Sequence, residues 1–205
     1  MEQEFIRSAR EDAIARTTLN PRASFAEFET TLPYQQRGLR AAQAFCREAR
    51  VGIPVALILW GNFGTGKTHL ASAIANELTA AGWHIVAVSV PDLLARIRAS
   101  YADEAASEYS IIRDLATADL LVMDEMGLEH VANTAWHQEK MYQIINGRYV
   151  HGPLVVTTNK QPTEMTSWIG PASFSRLWQM SDYGRLFVDM RGSDYRMRTI
   201  KRLTA

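Results

Sequence analysis

Eight consecutive residues, Gly61-Asn62-Phe63-Gly64-Thr65-Gly66-Lys67-Thr68, fit the pattern G-x-x-x-x-G-K-[ST] in full. Residue types in this order suit one task, the holding of a chain of phosphates. Glycines let successive backbone N–H groups turn inward around a phosphate. A helix N-terminus behind them adds partial positive charge. Lys67 then reaches the outer phosphates, and the Thr68 hydroxyl ligates Mg²⁺. The nucleotide-binding stretch is expected to run from Gly61 through His69. A second constellation, Leu120-Leu121-Val122-Met123-Asp124-Glu125, is an apolar run ending in two carboxylates. At the carboxyl end of a parallel strand it shares an edge with the phosphate loop. Asp124 is then placed to hold the Mg²⁺, and Glu125 to polarise an attacking water. The pair favours hydrolysis of ATP over phosphoryl transfer to a small metabolite, which needs an acceptor pocket.

Three more polar residues stand beside later apolar runs. Asn159 ends the run 154–158 and is placed either to bond the attacking water or γ-phosphate, or to make a turn before Lys160-Gln161-Pro162. Arg148 closes a helix before that run, away from the phosphate edge. It reads either as a cation offsetting the helix dipole or as an arginine finger serving a neighbouring subunit. Arg176, in Ser175-Arg176-Leu177, reads as touching the γ-phosphate of its own chain.

Positioning these residues takes alternating strands and helices. Strands are expected over 54–60, 84–90, 119–124, 154–158 and 185–190. One helix opens at Pro33 and is closed by Gly52. Others are expected over 69–81, 92–101, 110–116, 135–150, 163–169 and 172–180, with a polar break at 102–107. A short amphipathic helix is expected over 3–16, carrying Phe5, Ile6, Ala9, Ala13 and Ile14. This alternation implies an α/β fold, a mostly parallel sheet with helices on both faces. The length of 205 residues suits one domain. Residues 1–24 read as a helical extension and 25–205 as the nucleotide-binding body.

The 22 basic and 22 acidic residues cancel, so bulk charge drives no binding. The charges are nevertheless segregated. Residues 101–145 hold nine acids against two bases, and residues 184–205 hold six bases against two acids. Such a layout suits head-to-tail packing of like subunits, a tail on nucleic acid, or an unevenly charged solvated surface. The lone Cys46 precludes an internal disulfide and suits a reducing, cytoplasmic setting. The N-terminus is too charged for a signal peptide, and no apolar run approaches a membrane span.

Taken in order, Gly64-Thr65-Gly66-Lys67-Thr68-His69-Leu70-Ala71, Leu121-Val122-Met123-Asp124-Glu125-Met126-Gly127, Arg148-Tyr149, Thr157-Thr158-Asn159, Ser175-Arg176-Leu177 and Asp194-Tyr195-Arg196 resemble the DnaC/IstB group of AAA+ ATPases. These are replicative helicase loaders and transposase helper ATPases. The resemblance covers roughly residues 25–200. It implies a P-loop three-layer sandwich, with Walker A at 61–68 and Walker B at Asp124 and Glu125. It further implies sensor 1 at Asn159, an arginine finger at Arg148 and sensor 2 at Arg176. ATP and Mg²⁺ are the implied cofactors. The implied partners are single-stranded DNA, a hexameric replicative helicase or a transposase, and like subunits in the ATP state.

Two departures stand out. Only 24 residues precede the body, where family members usually carry a partner-gripping domain. Only 29 residues follow Arg176, too few for a separate helical lid, which fits the resemblance because loaders of that group often lack a full lid. For DNA, the resemblance implies a path along the helix after the second strand rather than the basic tail, with Arg98 for phosphate and Tyr101 for stacking.

Overall fold

The computed structural model describes residues 19–102, 107–128 and 133–195. The expected helix over 3–16 and the basic residues Arg196, Arg198, Lys201 and Arg202 lie outside the described residues.

The apolar runs become strands because each alternates its side chains between two buried faces. β1 (Ala56–Trp60), β2 (Ile85–Ser89), β3 (Leu120–Met126), β4 (Leu154–Thr158) and β5 (Phe187–Asp189) form one sheet in the order β2-β3-β4-β1-β5. All four pairings are parallel. Ile58, Leu121, Met123 and Val156 face one core, and Leu57, Leu59, Val122 and Val155 face the other.

Helices cover both faces. α1 (Pro33–Glu48) and α2 (Lys67–Ala80) pack on the second core. α3 (Val90–Ala99), α4 (Glu108–Thr117), α5 (Thr134–His151), α6 (Pro162–Ile169) and α7 (Pro171–Met180) pack on the first. The result is the expected three-layer α/β sandwich with a parallel sheet. Short polar residues start the helices by satisfying orphan N–H groups. Ser107 accepts from the Ser110 N–H, and Asn133 from the Trp136 N–H, both at 3.1 Å. Proline at the first turn opens α1, α6 and α7, where the missing N–H costs nothing.

Residues 20–24, part of the stretch expected as an extension, pack against α2. The Asn20 N–H donates to Ser72 Oγ at 3.1 Å, and Asn76 Nδ2 donates to the Asn20 and Ala23 carbonyls. His69 Nε2 meets the Ser24 carbonyl at 3.0 Å. His69, Ser72 and Asn76 lie on one face of α2 by helical spacing. They hold residues 20–24 along the helix that follows the phosphate loop.

Candidate functional site

The loop between β1 and α2 turns back on itself because three of its residues have positive φ: Gly61, Gly64 and Gly66. Gly66 is the left-handed N-cap of α2, and a Cβ there would come within 2.5 Å of the Phe28 ring. A Cβ on Gly64 would run into the Asp194 carboxylate. Only glycine satisfies both the backbone and the close approach. Lys67 is 8% exposed, and its ammonium donates to the Gly61 and Asn62 carbonyls at 2.7 and 2.6 Å. Thr65 Oγ1 ties the same Asn62 carbonyl at 3.0 Å. Phe63 stands exposed at the apex.

The adjacent strand tip supplies the carboxylates. Asp124 is buried, and Thr68 Oγ1 donates to its two oxygens at 3.0 and 3.2 Å. A hydroxyl and a carboxylate meeting in this way are hard oxygen donors, the chemistry that suits Mg²⁺ completed by phosphate oxygens and water. Glu125 comes next and is exposed in a left-handed conformation, φ 59°. It lines a cavity of about 300 Å³ whose walls include the phosphate loop and Asn159. Asn159 Oδ1 is buried and accepts no hydrogen bond among the described residues.

This geometry is matched by sequence. The sequence model of the family described as IstB-like ATP binding protein matches residues 6–201. The chain belongs to the IstB-like ATP-binding family. The chain is 28% identical over 184 residues to the replicative helicase loader DnaC of Escherichia coli (strain K12), covering 86% of this chain and 74% of that relative. It is 30% identical over 147 residues to an ATP-binding protein of insertion sequence IS5376 from Geobacillus stearothermophilus, covering 69% of this chain and 55% of that relative. A crystal structure of the DnaC helicase loader superposes with a TM-score of 0.67 at 19% identity, over 83% of this chain and 97% of that one. The chain is thus an ATP-binding protein that carries a complete phosphate loop.

Two arginines depart from their expected places. Arg148 is fully buried. Its Nη1 donates to the carbonyls of Leu115, Ala116 and Ala118 at 3.3, 2.8 and 2.7 Å, and its Nη2 to that of Pro153 at 2.7 Å. Burial pushes its pKa down to about 10, against the attraction of Asp119. In this structure the guanidinium expected to serve as a finger is spent on four internal carbonyls and acts as an internal clamp. It also does more than offset the dipole of its own helix, because three of the carbonyls lie at and just beyond the end of α4.

Arg176 does not line the nucleotide cavity either. Its guanidinium stacks over Tyr142 and Tyr149 of α5, 4.6 and 5.8 Å from the ring centres, and donates to the Tyr142 hydroxyl at 3.1 Å. Arg176, expected to touch the γ-phosphate of its own chain, thus occupies a half-exposed position on the α5–α7 face in this structure.

His69 does line the cavity, and it also holds the Ser24 carbonyl and lies 5.4 Å from the Phe28 ring. Arg98 and Tyr101 belong to one surface network. Arg98 lies 4.5 Å over the Trp136 ring, and the Trp136 indole N–H donates to the Tyr101 hydroxyl at 3.0 Å. Tyr101 donates in turn to Glu108, which also receives Lys140 at 2.7 Å. Partial burial disfavours the Glu108 carboxylate, but the Lys140 and Tyr101 bonds outweigh it and hold its pKa below 4.5.

Sequence reasoning missed Phe28, Gln35, Thr157, Thr158 and Tyr195, all of which line the cavity. The run Thr157-Thr158 offered a signal, since two hydroxyls end an otherwise apolar buried strand. Phe28 and Gln35 offered none, because they reach the site from a distant segment. Among the described residues no cluster of His, Cys, Asp and Glu could hold a metal by itself, and no helix is long and apolar enough to cross a membrane.

Proposed function

We propose that this protein is a cytoplasmic ATPase that hydrolyses ATP with Mg²⁺ to load a replicative helicase onto single-stranded DNA. The observation carrying this reading is the meeting of Thr68 and Asp124 at 3.0 Å, with Glu125 beside them in the cavity wall. The phosphate loop and Lys67 hold the phosphates. Thr68 and Asp124 would hold the Mg²⁺, which would supply positive charge to the phosphate oxygens during the transfer. Glu125 accepts a proton from the attacking water, and the Asn159 amide orients it. A helicase loader is supported by the likeness to the DnaC relative. Like subunits assemble in the ATP state, and an arginine serving a neighbour's nucleotide must stand on an outer face. Arg176 meets that condition and Arg148 does not.

The second reading is a transposition helper, favoured by the family description and by the insertion-sequence relative. One set of assays separates the readings. Steady-state hydrolysis is expected for the wild type, and Glu125→Gln should keep ATP affinity while losing about 10²-fold in rate. A wild type that binds ATP without turning it over is a nucleotide-gated adaptor instead. Transfer of a purified hexameric replicative helicase onto circular single-stranded DNA, dependent on this protein, supports loading. Failure there, with transposase recruitment to duplex DNA, supports the second reading.

A further inference from the structure

Adjacent residues of a regular strand point to opposite faces, so a strand ending Asp-Glu sends only one carboxylate to a given side. β3 evades this with a bulge. Met123 pairs with Val156 and Met126 with Thr158, so Asp124 and Glu125 together oppose the single residue Thr157. The displacement is visible in the core, where Met123 and Met126, three apart, both face the first core. The bulge costs β3 a regular ladder bond and places Glu125 in the left-handed region, which a residue with a Cβ holds only when its surroundings impose it.

Thr157 is what faces the bulge. It is 1% exposed and emerges on the face of Val155, toward α2. Its hydroxyl accepts from the Glu125 backbone N–H at 3.0 Å and donates to Asp124 Oδ1. The direction of the hydroxyl proton follows from its partners, since an amide only donates and a carboxylate only accepts. One side-chain oxygen thus replaces the missing ladder acceptor of Glu125 and fixes the carboxylate of Asp124.

We infer that Thr157 is a positioning residue that sets both acidic groups at once, holding Glu125 in its cavity-facing conformation and Asp124 against Thr68. The inference rests on the hydrolytic reading above for its kinetic consequence only. The expected signature is a loss in kcat that far exceeds any loss in ATP affinity, because Thr157 reaches the phosphate loop only through Asp124 and Thr68.

The test uses Thr157→Val, which keeps the shape and removes the hydroxyl, beside Thr157→Ser, which keeps the hydroxyl. T157V should lose on the order of 10²-fold in kcat, with the Kd for a fluorescent ATP analogue within about twofold of wild type. T157S should restore most of the rate. Should T157V fail to fold, T157C, whose thiol is a poor donor and acceptor, provides the same comparison. Hydrogen exchange of the peptide containing Glu125 is measured in parallel and needs no turnover. Faster exchange of that amide in the hydroxyl-free variant, but not in T157S, supports the inference even if the wild type proves not to hydrolyse ATP. Unchanged exchange overturns it, as does a hydroxyl-free variant with wild-type kcat.

Discussion

Replacing Arg148 with methionine should lower the melting temperature of the protein rather than silence catalysis across a subunit boundary. The side chain is fully buried, and its two terminal nitrogens serve four carbonyls. Three of these belong to Leu115, Ala116 and Ala118, where the carbonyls at the end of α4 have no partner within the helix. A cation there also complements the helix dipole. Methionine fills similar volume but donates nothing, leaving each buried carbonyl unsatisfied at about 1–3 kcal/mol. Against this stands the recovered cost of burying the charge. A pKa depressed from 12.5 to about 10 corresponds to roughly 3 kcal/mol. The carbonyl losses exceed that recovery, and the net is on the order of 3 kcal/mol of destabilisation. For a chain of this length, that lowers Tm by about 6–12 °C. Lysine should do little better, because one ammonium is unable to span four carbonyls arranged for a planar fork. Circular-dichroism melts of wild type, R148M and R148K, beside ATP affinity and turnover at a temperature where all are folded, provide the assay. An R148M chain that melts with wild type yet hydrolyses about 10²-fold more slowly, and regains activity when mixed with Glu125→Gln chains, refutes the clamp and restores the finger.

Lys67→Ala should abolish tight ATP binding with the fold intact, because it removes the cation poised beside the Gly61 and Asn62 carbonyls; equal nucleotide affinities in an equilibrium titration would count against the loop. Arg98→Ala should weaken single-strand binding and reduce its salt slope by roughly 0.7, the contribution of one phosphate contact. If truncation after Asp194 lowers the slope and Arg98→Ala does not, the basic tail carries the DNA and the Arg98–Trp136 surface does not.

The chemistry-bearing stretches were legible because they are local. The phosphate loop needs only eight consecutive residues between a strand and a helix, and the buried β-strands announce themselves as unbroken apolar runs. The Asp124-Glu125 pair at a strand end could be read the same way, as could the parallel α/β class. What sequence spacing did not determine was which way the long polar side chains turn. Arg148 occupies the expected helix end, yet whether it faces solvent or core depends on where α4 ends in space, and α4 is some 30 residues away along the chain. Arg176 was read toward the nucleotide, but the Tyr142 and Tyr149 rings of α5 hold it elsewhere. The closing of the cavity by Phe28, before α1, and Gln35, in its first turn, likewise arises only when this stretch packs beside α2. The bulge at Glu125 shows the division most clearly. Composition put two carboxylates at the end of β3, but strand periodicity alone sends them to opposite sides. Only the register against β4, with Thr157 opposite both, brings them to one site.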